Sequence, residues 1–433
     1  MQVDFRFEHH LVKANTTTPI GLMIECTAPA APVVASTTVR ASQGVVFVID
    51  RSGSMGSGRL ELVKQTILEL LSRLNRNDFL SVVSFDDTPV VEVEMKRVSD
   101  HDMADVRRRI GDMRPGGSTN LEMGYRKGIE QAALAGVETK IVLLSDGQAN
   151  AGVVDPVLLG QLAARVTEHM ITTSTIGIGT GYDERILDAL AVASTGNHFA
   201  AINLGEAVDG LTAEFDDLLN KTVTNIKVTV ELSPRFGGAG SSIRKTQYLR
   251  AFTAQGGLAK AELGDMCSQE EKNFVFDLNL GAVDFTNGAS EQAAKISIEW
   301  LDLATNQLRS LQTELNVSVV KAEDYVEPAR DEDVLAELAT IRLQGQKELA
   351  IQLMREGRVA EAQALMAQLG MEYERMLDEF VGMSSRSRSR MHSEMSESMA
   401  YSMLRDDEFI KRSTESINRK RSNKPDPRKK GDV

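Results

Sequence analysis

The feature that most constrains this chain is the alternation, from about residue 43 to 220, of short β-branched apolar runs with amphipathic helical stretches. Short runs dominated by apolar and β-branched residues suit strands buried on both faces, as in a parallel sheet with helices above and below. They are VVFVI (45–49), FLSVVSF (79–85), VVEVEM (90–95), KIVLLS (140–145), TTSTIGIG (172–179) and NHFAAI (197–202). Asp86-Asp87-Thr88-Pro89, between the second and third, reads as a hairpin turn and adds one antiparallel strand. Between the others, Leu60, Val63, Ile67, Leu70, Leu71 and Leu74 recur at three- and four-residue steps, which predicts one face of a helix. The same spacing runs through Leu158, Leu159, Leu162 and Val166, and through Ile186, Leu187, Leu190 and Ala191.

The flanks have a different rhythm. IKVTVEL (226–232), KNFVFDLNL (272–280) and KISIEWLDL (295–303) alternate apolar with polar residues, the mark of antiparallel strands with one wet face. The expected organisation is therefore an antiparallel β-sandwich built from 1–42 and 222–322, with an α/β domain over 43–221 inserted into it. Trp300 is expected in the sandwich core. A helical hairpin follows at 329–381, broken at Glu356-Gly357. The segment 382–433 is rich in Ser, Arg and Met and carries 13 basic against 8 acidic residues, so it reads as a mostly disordered basic tail. Within it Met391, Met395, Met399 and Met403 recur every four residues, a spacing that would form a stripe if the segment became helical on a partner. The Arg/Lys cluster at 419–430 reads as solubilising.

Composition bounds the function. With 42% hydrophobic and 26% charged residues over 433 positions, the chain is neither fully disordered, collagen-like nor embedded in a membrane. A formal net charge of −13 argues against nucleic acid as the main partner. Two cysteines, Cys26 and Cys267, are too few for a disulfide framework and point to a reducing compartment. The N-terminus lacks the basic and apolar regions of a secretory signal. No apolar run nears the roughly 20 residues of a membrane span. A cytoplasmic location is expected.

One constellation stands out. The first buried strand ends in Asp50 and runs on as Arg51-Ser52-Gly53-Ser54 before a helix, and ligand sites in doubly wound sheets lie just past the carboxyl ends of strands. Thr119, in the Gly-rich turn GGSTN, and Asp146, in LLSDGQAN, occupy corresponding places in the topology. Two carboxylates and three hydroxyls form a set of hard oxygen donors, which suits Mg²⁺, with Mn²⁺ or Ca²⁺ as alternatives, over zinc.

DRSGSMGSGRL, PGGSTNLEMG and VLLSDGQAN together resemble the metal-ion-dependent adhesion site of von Willebrand factor type A domains. The resemblance covers about 43–220, including TIGIGTGYDERILDALAVASTGNHF, which is similar to that family's fifth strand, following helix and sixth strand. It implies a Rossmann-like, doubly wound fold in which Ser52, Ser54 and Thr119 bind the metal directly. Asp50 and Asp146 would act through water, and a partner's Asp or Glu would complete the shell. The flanking strands and helical C-terminus are similar to bacterial proteins related to calcium-activated chloride-channel regulators and inter-alpha-trypsin-inhibitor heavy chains.

Other chemistries fit less well. Gly177-Ile-Gly179-Thr-Gly181 lacks the spacing of a dinucleotide fingerprint, Ser54 is not in a nucleophile elbow, and the six histidines form no metal-binding pattern. The chain is thus expected to be a non-enzymatic, Mg²⁺-dependent protein-binding module, a scaffold or regulatory subunit, with an AAA-type ATPase or a kinase/phosphatase set as candidate machinery. A homo-oligomeric assembly protein and a metal-dependent phosphohydrolase are the alternatives.

Overall fold

The computed structural model describes residues 1–30, 42–147, 149–245, 251–285, 290–305, 307–404 and 406–421. The chain divides into two units, Met1–Val39 with Asn220–Leu404 and Arg40–Leu219 with Arg405–Val433. The first unit begins with β1 (Gln2–Phe7), β2 (Leu11–Lys13) and β3 (Thr18–Thr27).

The second unit is the α/β domain. Its elements are β4 (Gly44–Asp50), α1 (Arg59–Leu70), β5 (Phe79–Phe85), β6 (Pro89–Arg97), α2 (Met103–Asp112), α3 (Leu121–Ala133), β7 (Thr139–Ser145), α4 (Pro156–Val166), β8 (Ile171–Ile178), α5 (Glu184–Ala193), β9 (Thr195–Ala201) and α6 (Leu204–Leu219). The sheet runs β6-β5-β4-β7-β8-β9. Every pairing is parallel except the β5–β6 hairpin. The continuous apolar runs have the expected cause: β4 is buried along its whole length. Val45, Phe47 and Ile49 pack with residues of α1, α2 and α6, whereas Val46 and Val48 pack with residues of α3, α4 and α5.

Returning to the first unit, the chain forms β10 (Lys221–Leu232), β11 (Ser242–Lys245), β12 (Ala251–Gln255), β13 (Leu258–Cys267), β14 (Glu271–Leu280), β15 (Ser290–Asp302) and β16 (Gln307–Val320). One sheet has the order β1-β3-β14-β11 and the other β12-β13-β10-β15-β16-β2. Their inner faces share one core, which includes Ile20, Leu22, Val228, Phe276 and Trp300. The N-terminal strands complete the sandwich as expected, β3 lying between β1 and β14.

Helices α7 (Glu332–Arg355) and α8 (Val359–Glu379) form the hairpin, turning at Gly357, whose φ of +77° favours glycine. Asp331 caps α7, accepting from the backbone of Asp333 and Val334, and pairs with Arg6.

The expected disordered tail is corrected over most of its length: it forms α9 (Ser385–Tyr401) and α10 (Asp406–Arg421). Helix α9 packs on α8, with Met399 against Gly370, where a β-carbon would come within 2.7 Å of the Met399 side chain. Arg388 donates to the carbonyls of Leu377 and Phe380, satisfying the end of α8. Met391 is buried and Met403 exposed, so the methionine stripe is in part a packing face within this chain. The rest of α9 is held by buried charge: Lys347 of α7 lies 3.0 Å from Glu394 and 3.6 Å from Glu397.

Helix α10 belongs instead to the α/β unit, so that unit extends beyond the expected 43–221. Buried Lys411 donates to the carbonyl of Tyr182 at 2.8 Å, lies 4.2 Å from the centre of its ring and pairs with Glu184. Arg412 reaches the carbonyl of Ala200 and Glu206. Of the basic cluster, 422–430 lies outside the described residues.

Candidate functional site

The site forms where β4 and β7 end. Asp50, the last residue of β4, is fully buried; its Oδ1 accepts from the Ser52 amide at 2.8 Å and its Oδ2 from the Ser145 hydroxyl at 2.6 Å. Burial pushes the Asp50 carboxyl up; the Ser145 and Ser52 hydrogen bonds oppose that, and neighbouring Asp146 adds to it. The turn after β4 is anchored by Met55, which has no exposed surface. Ser52 is buried beneath the turn, while Ser54 stands on its exposed side.

Asp146, immediately after β7, closes the opposite wall. Its Oδ1 accepts from the Ser54 hydroxyl at 2.6 Å and its Oδ2 pairs with Arg59, from the first turn of α1. The Ser52 and Ser54 hydroxyls are 3.1 Å apart.

Thr119 comes from the Gly-rich turn before α3. Its amide donates to Asn150 Oδ1 at 3.0 Å, and the Asn150 amide donates back to its carbonyl at 3.2 Å. The turn is tied to the first loop by backbone bonds from Gly53 to Gly117 and from Gly116 to Arg51. Asp87 accepts from the Ser118 amide, and Asp86 accepts from Arg51 through its side chain and from the Asn120 amide through its carbonyl. Gly116 and Gly117 allow this closeness: a β-carbon on either would collide with the carboxylates of Asp86 and Asp87.

Asp50, Ser54 and Thr119 therefore stand around one point, and Ser52 and Asp146 are tied to it through the Ser54 hydroxyl. A β-carbon on Gly147 would lie 3.1 Å from Thr119 Oγ1, 3.5 Å from Ser54 Oγ and 3.7 Å from Asp50 Oδ2. Glycine at 147 leaves this space to whatever the oxygens bind. Gly147, Ser145, Asn150 and Arg59 are site residues that the motif reading missed. Gly147 and Asn150 had a signal in the same DGQAN run, and Ser145 sits just before it, whereas Arg59 is recognisable only in three dimensions.

The profile of the von Willebrand factor type A domain matches residues 44–214. The uncharacterized protein sll0103 of Synechocystis sp. is 26% identical over 318 residues, covering 72% of this chain and 74% of that protein. Human inter-alpha-trypsin inhibitor heavy chain H3 is 24% identical over 198 residues, 43% of this chain but only 22% of that protein. The crystal structure of the ArnB paralog VWA2 from Sulfolobus acidocaldarius superposes with a TM-score of 0.62 at 16% identity, covering 97% of this chain and 98% of that one, a likeness of fold. Residues 44–214 of this chain belong to the von Willebrand factor type A domains, a family of protein-interaction modules that often carry a divalent ion.

Proposed function

We propose that this site binds a divalent ion, Mg²⁺ first with Mn²⁺ or Ca²⁺ as alternatives, and through it captures an acidic residue of a partner protein. The observation that carries the reading is the convergence of oxygens from the Asp50–Ser54 turn and from Thr119 on the space that Gly147 leaves open, with Asp146 joined to them through the Ser54 hydroxyl. The donor set is Asp50, Ser52, Ser54, Thr119 and Asp146, all hard oxygens that suit these ions. Ser52, Ser54 and Thr119 are assigned direct contact, and Asp50 and Asp146 contact through water. With neutral hydroxyls nearest, the ion keeps most of its charge, and an incoming Asp or Glu is the natural group to complete its shell. The exposed side of Ser54 supplies the mouth.

The site is assigned to binding and not to catalysis. The carboxylates of Asp50 and Asp146, held by Ser52, Ser145, Ser54 and Arg59, are assigned to orienting the shell of the ion and not to proton transfer. Among the described residues no helix is long and apolar enough to cross a membrane. We place the chain in the cytoplasm as a scaffold or regulatory subunit, with an AAA-type ATPase or a kinase/phosphatase set as the candidate machinery.

The test is affinity purification of the full chain from native lysate in Mg²⁺ and in EDTA, beside Asp146→Ala. A partner retained in Mg²⁺ but lost in EDTA and in the variant is expected. Partners indifferent to both conditions would contradict the proposal.

A further inference from the structure

We infer that Arg59 is a built-in competitor for the divalent ion: by holding the Asp146 carboxylate it sets the ion concentration at which the site loads. This rests on the metal-binding reading above. The Asp146 side chain has no exposed surface and its Oδ2 is paired with Arg59 Nη1, while the guanidinium itself is 35% exposed. The other carboxylate oxygen takes the Ser54 hydroxyl, one of the groups assigned to the ion. Asp50 is held differently, by the neutral donors Ser52 and Ser145. The second arginine of this loop, Arg51, is committed to Asp86 at 3.0 Å. Arg59 is therefore the cation resting on the donor set.

Two glycines border the pair, Gly179 beside the guanidinium and Gly181 beside the Asp146 backbone. The position of a β-carbon on Gly179 is 3.6 Å from Arg59 Nη2, and that on Gly181 is 3.1 Å from the Asp146 carbonyl. Larger residues there would crowd the guanidinium or the Asp146 backbone. An ion entering among the hydroxyls meets a positive charge close by and a carboxylate that is already neutralised, and both effects oppose binding.

The experiment is calorimetric titration of the full chain with Mg²⁺, wild type beside Arg59→Gln and Arg59→Lys, together with thermal melts of each with and without Mg²⁺. Arg59→Gln is expected to bind Mg²⁺ roughly tenfold more tightly, the scale of a partly buried ion pair. Without the ion it should melt below wild type, because Asp146 loses its counter-charge, and with the ion it should gain more in melting temperature than wild type does. Arg59→Lys, which keeps the charge, should stay near wild-type affinity. Equal or weaker Mg²⁺ binding by Arg59→Gln, with wild type binding normally, overturns the inference alone. Failure of both wild type and Arg59→Gln to bind overturns the metal reading and the inference with it.

Discussion

The loops around Asp50 and the C-terminal helices both bury charge, and they do so to different ends. At the site, Asp50 and Asp146 are held by hydroxyls, amides and one arginine, and these groups face a space kept open by Gly147, with Ser54 at the exposed side. In the helical bundle, Lys347 is 1% exposed and closed in by Glu394 and Glu397. The α/β unit repeats that pattern where Lys411 of α10 meets Tyr182 and Glu184. Buried charge therefore does not by itself mark a binding site. A site needs the charges to converge on room left for something else, whereas closed pairs fix which helix packs where.

The bundle should break hardest. Lys347→Ala removes the buried cation that faces Glu394 and Glu397 and is expected to cost about 3–5 kcal/mol, read as a fall in the urea midpoint. Mg²⁺ affinity of the folded protein should be unchanged, which separates the two kinds of buried charge.

A smaller effect is expected at His198, on β9. Burial, with the charge of Lys411 adding to it, lowers its pKa from 6.5 to about 3. The folded state thus keeps the imidazole neutral while the unfolded chain takes up a proton below pH 6.5, so stability falls as pH drops from 6.5 towards 3. Between pH 7 and 5 this amounts to about 2 kcal/mol. Urea midpoints at the two pH values should show a shallower loss in His198→Gln than in wild type. An equal slope would mean that the ring is not buried neutral beneath α10.

Asn150→Ala should do least to the fold, about 1 kcal/mol for the lost hydrogen bond to the Thr119 amide. Its larger signature should be weaker Mg²⁺ binding, roughly tenfold, as expected for a group that orients a ligand from behind. Melting curves and titrations of the same samples separate the two.

The same contrast explains what could be read from the sequence. The parallel sheet was legible because β4, β5 and β7 are buried at nearly every position and carry an apolar run at their centre, and the turns after them advertise themselves through Gly, Ser and Asp. Asp50, Ser52, Ser54, Thr119 and Asp146 were visible as a pattern for that reason. Helix α10 was not, since Phe409 and Ile417 are its buried apolar side chains while Lys411, Ser413, Thr414, Glu415 and Ser416 are also buried. A helix that packs a polar face has the composition of a solvated tail. Strand β13 hides for a milder reason: Ala259 and Ala261 face the sandwich core, and alanine carries little of the alternation that marks a strand. Arg59 escaped because its partner lies 87 residues away.

The most direct measurement is a calorimetric titration of the full chain with Mg²⁺ beside Asp50→Ala and Gly147→Ala. Wild type should show a single saturable site, Asp50→Ala none, and Gly147→Ala a loss of roughly a hundredfold or more, because its methyl group would occupy the point on which the oxygens converge. Circular dichroism should show both variants folded. Binding in Gly147→Ala equal to wild type would place the ion elsewhere and contradict the proposed site.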